Sequence, residues 1–255
     1  MRGKHAATKS KNHKKRTVIF FVEIIFIILL IFSIIKISEW IQNNQKNKTI
    51  IQEISDAITI EETKKENDSL KYKVNFSSLK EKNKDTVAWL KVENSNIEYP
   101  IVKTKDNDYY LTHNYYKEYN IAGWPFADYK NKFDGTDKNL IIYGHNMQDN
   151  SMFGSLKDVI KPKWYNNEEN KYITLITEKE NSIYEIFSVY QIEREDYYIK
   201  TDFNKIEFKE FIKTLKKRSL KDFKTEVNED SNILTLSTCA NNDKYRVVLH
   251  AVKIK

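Results

Sequence analysis

The sequence predicts a mainly β domain, an antiparallel barrel or sandwich with a few helices, behind a single N-terminal transmembrane helix. Beyond about residue 85, most of the chain consists of short segments rich in Ile, Val, Tyr and Thr with turn residues between them, which is typical of β-strands. One segment with helical periodicity interrupts these strands, and an almost continuous apolar run lies near the N-terminus. These three patterns together predict one β domain held at a membrane.

Residues 1–16 form a basic cytoplasmic tail, and residues 17–38 form the predicted transmembrane anchor. The tail MRGKHAATKSKNHKKR has seven Lys or Arg and no acidic residue, and the apolar run TVIFFVEIIFIILLIFSIIKI is broken early only by Glu23. About 20 apolar residues span a bilayer as a helix, whereas the core of a cleaved signal peptide has about 7 to 15. We therefore expect an uncleaved anchor in the cell membrane. Basic flanks stay in the cytoplasm, so the rest of the chain lies on the extracellular face.

The tail also explains the net charge. Its seven basic residues equal the formal net charge of +7, and the residues after 36 carry 35 basic and 35 acidic side chains. Lys outnumbers Arg by 38 to 5, so the chain has no stripe of base-reading arginines. We expect no nucleic-acid partner and a tail that meets anionic membrane lipid.

Residues 39–74 are predicted to form a helical stalk outside the membrane. This segment has no Pro or Gly, is strongly charged and places Ile51 and Ile54 at near-helical spacing. A short helix from about 77 to 84 is predicted to follow, with Ser77 as its N-cap.

Residues 75–255 are predicted to form the β domain. The strand candidates are AWLKVE, IEYPIV, NLIIYG, YITLIT, IYEIFSVYQIE, NILTLST and YRVVLHAVKI. The interrupting helix is EFKEFIKTLKKRSLKDF, residues 207–223. Its apolar face is formed by Phe208, Phe211, Ile212 and Leu215.

The only cysteine of the chain, Cys239, stands at the end of the strand candidate ILTLSTC. A single cysteine excludes a disulfide within the chain and a cysteine-cluster metal site. If the next strand returns as a hairpin, Arg246 can lie beside Cys239 at its mouth. A nearby positive charge favours the reactive thiolate, and a guanidinium can hold the oxyanion that forms when a carbonyl is attacked. The pair indicates a nucleophilic cysteine; the alternative is a small buried thiol and a surface arginine.

A thiol nucleophile needs a proton partner, normally a histidine. Outside the tail the candidates are His113, His145 and His250. His145 ends the strand candidate NLIIYGH, so it lies, like Cys239, at the end of a strand. Functional side chains are commonly displayed at such positions. We expect His113, which lies among tyrosines, to be structural, and His250, in mid-strand, to be a packing or surface residue.

The segment TLSTC, followed by Arg246 and preceded by NLIIYGHNMQDNSMFGSL, resembles the sortases, the membrane-anchored cysteine transpeptidases of Gram-positive bacteria, and is most similar to their class B. VAWLKVENSNIEYPIVKTKDNDYYLTHNYY is similar to the early barrel strands of the family, and the helix at about 207–217 to one that class B inserts before its late strands. The resemblance implies a closed eight-stranded β-barrel with an N-terminal helical extension.

The resemblance also implies the reaction. Cys239 would be the nucleophile, His145 the general acid/base, and Arg246 the group that stabilises the tetrahedral intermediate. The implied substrates are surface proteins with a C-terminal sorting motif, cleaved after Thr through a thioester on Cys239. The implied acceptor is an amine of a peptidoglycan precursor or a pilin lysine, and no metal or cofactor is implied.

Three further residues are predicted to contact the sorting peptide. Ser237 and Thr238 directly precede Cys239, and Tyr143 shares the strand side of His145. The chain departs from the class B pattern where GWPFAD, residues 123–128, replaces a Ser-Ile-Phe type segment, and the turn between Cys239 and Arg246 is short. These departures concern the shape of the expected peptide-binding groove and the sorting motif that it accepts.

Two other interpretations stay open at this point. One is a membrane-tethered binding module with an inert Cys239. The other is a different cysteine enzyme of the cell wall. Papain-like cell-wall hydrolases place the cysteine before the histidine, the reverse of the order here. The L,D-transpeptidases share the order but have a glycine- and serine-rich spacing before the thiol that ILTLSTC lacks.

Overall fold

The computed structural model describes the backbone of residues 4–61, 71–193, 195–239 and 244–255. Side chains are described for residues 15–58, 72–193, 195–238 and 244–255. The chain forms two compact units, Met1–Lys46 and Asn47–Lys255.

Helix α1, Lys4–Ser55, contains the predicted anchor. Its most apolar 18-residue window has a mean hydropathy of 3.3, and none of that window is buried within the protein. An apolar helix with exposed side chains is a form in which a chain can cross a bilayer, since a helix hydrogen-bonds its backbone groups internally. The first unit therefore supplies a candidate membrane anchor, as predicted.

The helix ends at Ser55, before the end of the predicted stalk. Strand β1, Ile58–Glu61, pairs antiparallel with strand β2, Lys71–Val74. The alternation of β-branched and polar residues in ITIE favours a strand over a further helical turn. The prediction of a helix through residue 74 was therefore wrong for these two segments, and residues 62–70 lie outside the described chain.

Eight further strands close a barrel, and the helices lie between them in sequence. The elements in order are α2 Phe76–Lys82, β3 Thr86–Val92, β4 Glu98–Val102, β5 Phe126–Ala127, β6 Asn139–His145, α3 Pro162–Tyr165, β7 Tyr172–Ile176, β8 Asn181–Glu193, α4 Lys205–Arg218, β9 Ile233–Cys239 and β10 Tyr245–Lys253. Around the barrel the strands follow the order β10-β8-β7-β3-β4-β5-β6-β9. The closed eight-stranded barrel is confirmed. The expectation of a wholly antiparallel sheet was wrong, because β4 with β5 and β6 with β9 are parallel pairs.

Strand alternation supplies the barrel core, and α4 covers a second apolar cluster. Leu234 and Leu236 of β9 are fully buried in the main core. The predicted apolar face of α4 is confirmed: its four residues pack with Val248 of β10 and neighbours from β8. The helix begins two residues earlier than predicted, because a capping box at Asn204 starts it, and it ends earlier than predicted, at Arg218 before the C-cap Ser219. In α2 the N-cap is Asn75 rather than Ser77, since the Asn75 side chain accepts from the Ser78 amide.

His250 is fully buried on β10, so it is a packing residue and not a surface one. Its ring lies between the hydroxyls of Tyr190 and Thr235, each at 2.8 Å. Burial disfavours the charged imidazolium and lowers the pKa of His250 to about 3. The ring is therefore neutral at physiological pH.

Core packing predicts the effect of truncating β9. We expect Leu236→Ala to lower the free energy of unfolding by about 2 to 5 kcal/mol, because it removes buried methyl groups and leaves a cavity. Leu220→Ala, at a 55% exposed side chain, should change it by less than about 0.5 kcal/mol. Urea unfolding of the chain in detergent, followed by tryptophan fluorescence, measures both values, and equal effects would contradict the packing described.

Burial of His250 predicts a loss of stability in acid. The pKa of this group is lowered on folding, so its neutral form contributes full stability above the unfolded pKa of about 6.5. As the pH falls toward 3, the unfolded chain binds the proton first, and stability drops by about 1.4 kcal/mol per pH unit. Burial also lowers the pKa of His145, which acts in the same direction.

The matched variant is His250→Gln, which cannot titrate. The difference in unfolding free energy between wild type and variant should shrink as the pH is lowered from about 7 to about 4. A difference that stays constant over this range would show that His250 does not resist protonation in the folded state.

Candidate active site

Three neighbouring strands carry His145, Cys239 and Arg246. The parallel pairing of β6 with β9 sets His145 directly beside Cys239. The described antiparallel pairs of β9 with β10 reach Ser237 with Val248, and Cys239 and Arg246 each lie two residues beyond that pair on their strands. Side chains two residues apart on a strand point the same way. Laterally paired residues project from the same face of a sheet, so the three positions share one face.

The local fold around His145 explains the spacing of the segment YGHNM…SMFG. A Cβ at Gly144 would lie 2.5 Å from the ring of Phe153, so only glycine lets that ring pack against β6. The chain then folds back, and the amides of Met147 and Phe153 both donate to the carbonyl of His145, at 3.1 and 2.9 Å. A Cβ at Gly154 would lie 2.2 Å from the Met147 carbonyl oxygen. The two glycines thus allow a compact turn that holds the end of β6.

His145 is 4% exposed. Its Nε2 lies 2.7 Å from the carbonyl oxygen of Leu111, and since a carbonyl can only accept, Nε2 carries the proton of the neutral ring. Burial lowers the pKa of His145, and the hydrogen bond to Leu111 partly opposes this. A neutral ring with its proton on Nε2 leaves Nδ1 as the basic atom.

The Leu111 carbonyl is held by a short 3-10 helix, Tyr109–Leu111. The Tyr110 hydroxyl donates to Asp85 at 2.8 Å, and Gly123 approaches the segment with a φ of 58°. A Cβ at Gly123 would lie 2.4 Å from the Tyr110 carbonyl oxygen, so a side chain there would displace the segment. This glycine begins GWPFAD, the stretch that departs from the class B pattern.

Arg246 is partly buried on β10. Its Nη1 donates to the Tyr198 hydroxyl at 3.4 Å. Its Nε is buried and has no hydrogen-bond partner among the described residues. A buried donor of this kind is costly to leave unsatisfied.

The three predicted peptide-binding residues have partners within the protein. The Ser237 hydroxyl lies 2.9 Å from that of Tyr198, and the Thr238 hydroxyl accepts from the Val247 amide at 3.0 Å. Tyr143 donates to Asp128 at 2.9 Å. All three side chains are buried, and their contact with substrate stays a prediction.

His113 stacks on Tyr109, with ring centroids 4.1 Å apart, and hydrogen-bonds the carbonyl of that residue. This position is structural, as expected. Sequence reasoning missed Tyr198 and Leu111. Leu111 acts through a backbone carbonyl, which no residue type reveals, and nothing in the sequence distinguishes Tyr198 from its neighbour Tyr197.

The sequence of this chain is similar to that of a known protein family and of its curated members. A family model described as the sortase domain matches residues 90–254. Sortase B of Listeria monocytogenes is 36% identical over 219 residues, which cover 85% of this chain and 87% of that protein.

Solved structures of sortase B proteins are similar to this chain in fold. Sortase B from Bacillus anthracis in complex with AAEK1 is 32% identical, with a TM-score of 0.74 over 84% of this chain and 99% of that one. A Staphylococcus aureus sortase B–substrate complex is 28% identical, with a TM-score of 0.68 over 86% of this chain and 95% of that one. The barrel, the matched domain and the extent of these similarities lead to one conclusion: this chain belongs to the sortase family of cysteine transpeptidases, in its class B.

Proposed function

We propose that Cys239, His145 and Arg246 form the catalytic site of this transpeptidase. The observation that supports it most is that the backbone of Cys239 is paired with that of His145, while Arg246 lies on β10, the other strand that pairs with β9. Three neighbouring strands thus carry the residue types needed for a nucleophile, a proton carrier and an oxyanion binder.

The first step is acylation. The sulfur of Cys239 attacks the carbonyl carbon of the threonine in a C-terminal sorting motif, and the thiol proton passes to Nδ1 of His145. The tetrahedral intermediate carries a negative oxygen, which Arg246 stabilises. His145 then returns the proton to the departing amine, the C–N bond breaks, and a thioester remains on Cys239.

The second step is transfer. An amine of a peptidoglycan precursor, or of a pilin lysine, attacks the thioester carbonyl while His145 accepts its proton. Collapse of the intermediate breaks the C–S bond, forms the new amide and restores the thiol. No oxidant or reductant is needed, because the step exchanges one acyl bond for another.

The properties of the two described side chains support these roles. The lowered pKa of His145 keeps the ring neutral near pH 7, so it is ready to accept a proton. The guanidinium of Arg246 stays charged at any working pH, and its Nε is an available donor with respect to the described residues. Removing one donor of this kind from an oxyanion site lowers kcat by on the order of 10² to 10³.

The place of action follows from the anchor. We infer that residues 1–16 lie in the cytoplasm, that residues 17–38 contact membrane lipid, and that the catalytic domain, residues 75–255, lies on the extracellular face. Surface proteins with a sorting signal and lipid-linked wall precursors both stand at that face. Tethering the enzyme there raises the effective concentration of both substrates.

The test uses the full chain in lipid nanodiscs with quenched peptides of the Asn-Pro-x-Thr and Leu-Pro-x-Thr-Gly types. We expect cleavage after Thr, and a thioester adduct on Cys239 detected by mass spectrometry. Cys239→Ala and His145→Ala should each lower kcat/KM by roughly three orders of magnitude, and Arg246→Ala by on the order of 10² to 10³. Each variant removes a group that acts on the reacting atoms.

Lys209→Ala, at an exposed position of α4, is the control and should keep the wild-type rate. Adding an amine acceptor should convert the adduct into an amide product. Cleavage that survives Cys239→Ala would show that the nucleophile is elsewhere. Wild-type protein that forms no adduct with any peptide of the set would contradict the assigned site.

A further inference from the structure

A chain of hydrogen-bonded polar side chains, called here the polar chain, links strands β6, β8, β9 and β10 to the 3-10 helix Tyr197–Ile199. Its members are Tyr197, Tyr190, His250, Thr235 and Asn139. Consecutive members are joined by hydrogen bonds of 2.6 to 2.8 Å. All except Tyr197 are buried, and His250, Thr235 and Asn139 are fully so. None of the five takes part in the proposed chemistry.

One end of the polar chain fixes the direction of its bonds. The Asn139 amide nitrogen donates to the backbone carbonyls of Tyr198 and Lys200, at 3.2 and 2.9 Å. Carbonyls can only accept, so the amide cannot be reversed, and its oxygen faces Thr235. That oxygen accepts the Thr235 hydroxyl proton at 2.6 Å. Thr235 must then accept from the other side.

The direction carries through the histidine. Because Thr235 already donates to Asn139, the Nδ1 of His250 must donate to Thr235, and the neutral ring carries its proton there. Nε2 is then an acceptor, which receives the Tyr190 hydroxyl proton at 2.8 Å. Tyr190 in turn accepts from Tyr197 at 2.8 Å. Only one tautomer of His250 satisfies every member.

The two ends of the polar chain hold the same short segment. At one end the Tyr197 hydroxyl donates to the Tyr190 hydroxyl, and at the other end the backbone carbonyls of Tyr198 and Lys200 accept from the Asn139 amide. The guanidinium of Arg218 also lies over the Tyr197 ring, 4.5 Å from its centroid. The 197–200 segment, which contains the 3-10 helix Tyr197–Ile199, is therefore fastened at both ends to strands of the barrel.

This segment carries the residue that touches Arg246. The Tyr198 hydroxyl is fully buried, accepts from Arg246 Nη1 at 3.4 Å and lies 2.9 Å from the Ser237 hydroxyl. The Ser237 hydroxyl donates its one proton to the Thr238 carbonyl at 3.3 Å, so it accepts from the Tyr198 hydroxyl. The orientation of the guanidinium thus depends on where the 197–200 segment is held.

We propose that His250, as the neutral Nδ1–H tautomer, is a positioning residue of the transpeptidase. Through the other members of the polar chain it holds the 197–200 segment in place. That segment carries the Tyr198 hydroxyl, which orients Arg246. The proposal rests on the role proposed above for Arg246. A charged His250 would add a second ring donor where the polar chain has an acceptor, and the lowered pKa of the buried ring keeps this form unpopulated at neutral pH.

The tautomer is tested on the wild-type protein without any substitution. In the full chain in nanodiscs with 15N-labelled histidine, we expect His250 to show a protonated, pyrrole-type Nδ1 and an unprotonated, pyridine-type Nε2 at neutral pH. The Nδ1 proton should exchange slowly, because the ring is fully buried. A pyrrole-type Nε2, or two protonated nitrogens, would overturn the proposal.

The positioning role is tested with a matched pair at Thr235. Thr235→Val keeps the shape but removes the hydroxyl, and misplacement of an active-site group by about 1 Å can cost on the order of 100-fold. We expect kcat with the best-cleaved peptide of the set to fall roughly 10- to 100-fold, with a smaller change in KM. Thr235→Ser restores the hydroxyl and should return kcat to near the wild-type value. A folded Thr235→Val with wild-type kcat would overturn the role.

A second pair on β8 keeps the test decisive if Thr235→Val does not fold. Tyr190→Phe removes one link of the polar chain and should lower kcat. Tyr184→Phe removes the hydroxyl of another buried tyrosine of the same strand, outside the polar chain, and should not. Equal kcat values for these two variants would overturn the positioning role.

The outcomes separate this inference from the proposed function. If Arg246→Ala has wild-type kcat, the role of Arg246 fails whatever the His250 spectrum shows. If Arg246→Ala is impaired while folded Thr235→Val and Tyr190→Phe keep wild-type kcat, only the inference about His250 fails.

Discussion

The parallel pairing of β6 with β9 is the constraint on which the active site depends. Seven residue pairs join the two strands, from Asn139 with Ile233 to His145 with Cys239. Parallel strands cannot be joined by a tight turn, so the intervening chain must cross over, and here it forms β7, β8 and α4 on the way. A slip of one residue would turn every side chain of β9 to the opposite face. The histidine and the cysteine meet because the two strands end at the same level of a closed barrel.

The site is built more from buried polar contacts than from exposed ones. His145 is oriented by a backbone carbonyl, and Arg246 by the hydroxyl of a fully buried tyrosine. Unsatisfied polar groups are costly in the interior, so a hydrogen-bonded network such as the polar chain has few alternative arrangements. Such networks specify geometry, and geometry is what a transferase needs, since most of the rate comes from holding groups in place.

The two buried histidines of the described barrel, His145 and His250, lie in different surroundings. Burial lowers the pKa of both, because an imidazolium is poorly solvated in the interior. His145 stands at the end of β6, paired with the end of β9, where we propose that it transfers protons. His250 lies in mid-strand, where a neutral ring bridges two hydroxyls. The same physical effect thus keeps both rings neutral near pH 7, the one that we propose transfers protons and the one that bridges two hydroxyls.

Much of the fold and the chemistry could be predicted from the sequence. Strand patterns, the apolar face of α4 and the apolar run of α1 depend on local periodicity, and the segments around His145 and Cys239 carry residue types whose chemistry is recognisable. The sequence did not predict the end of α1 at Ser55 or the cap at Asn75, since pairing with β2 and local side-chain geometry decide them. Nor did it predict the hydrogen bond from His145 to the carbonyl of Leu111, 34 residues away. Every residue has a backbone carbonyl, so the residue type does not reveal such a contact. The sequence by itself determined the residue types that we propose for the reaction; only the tertiary structure decided their partners, because register and burial arise from contacts between distant parts of the chain.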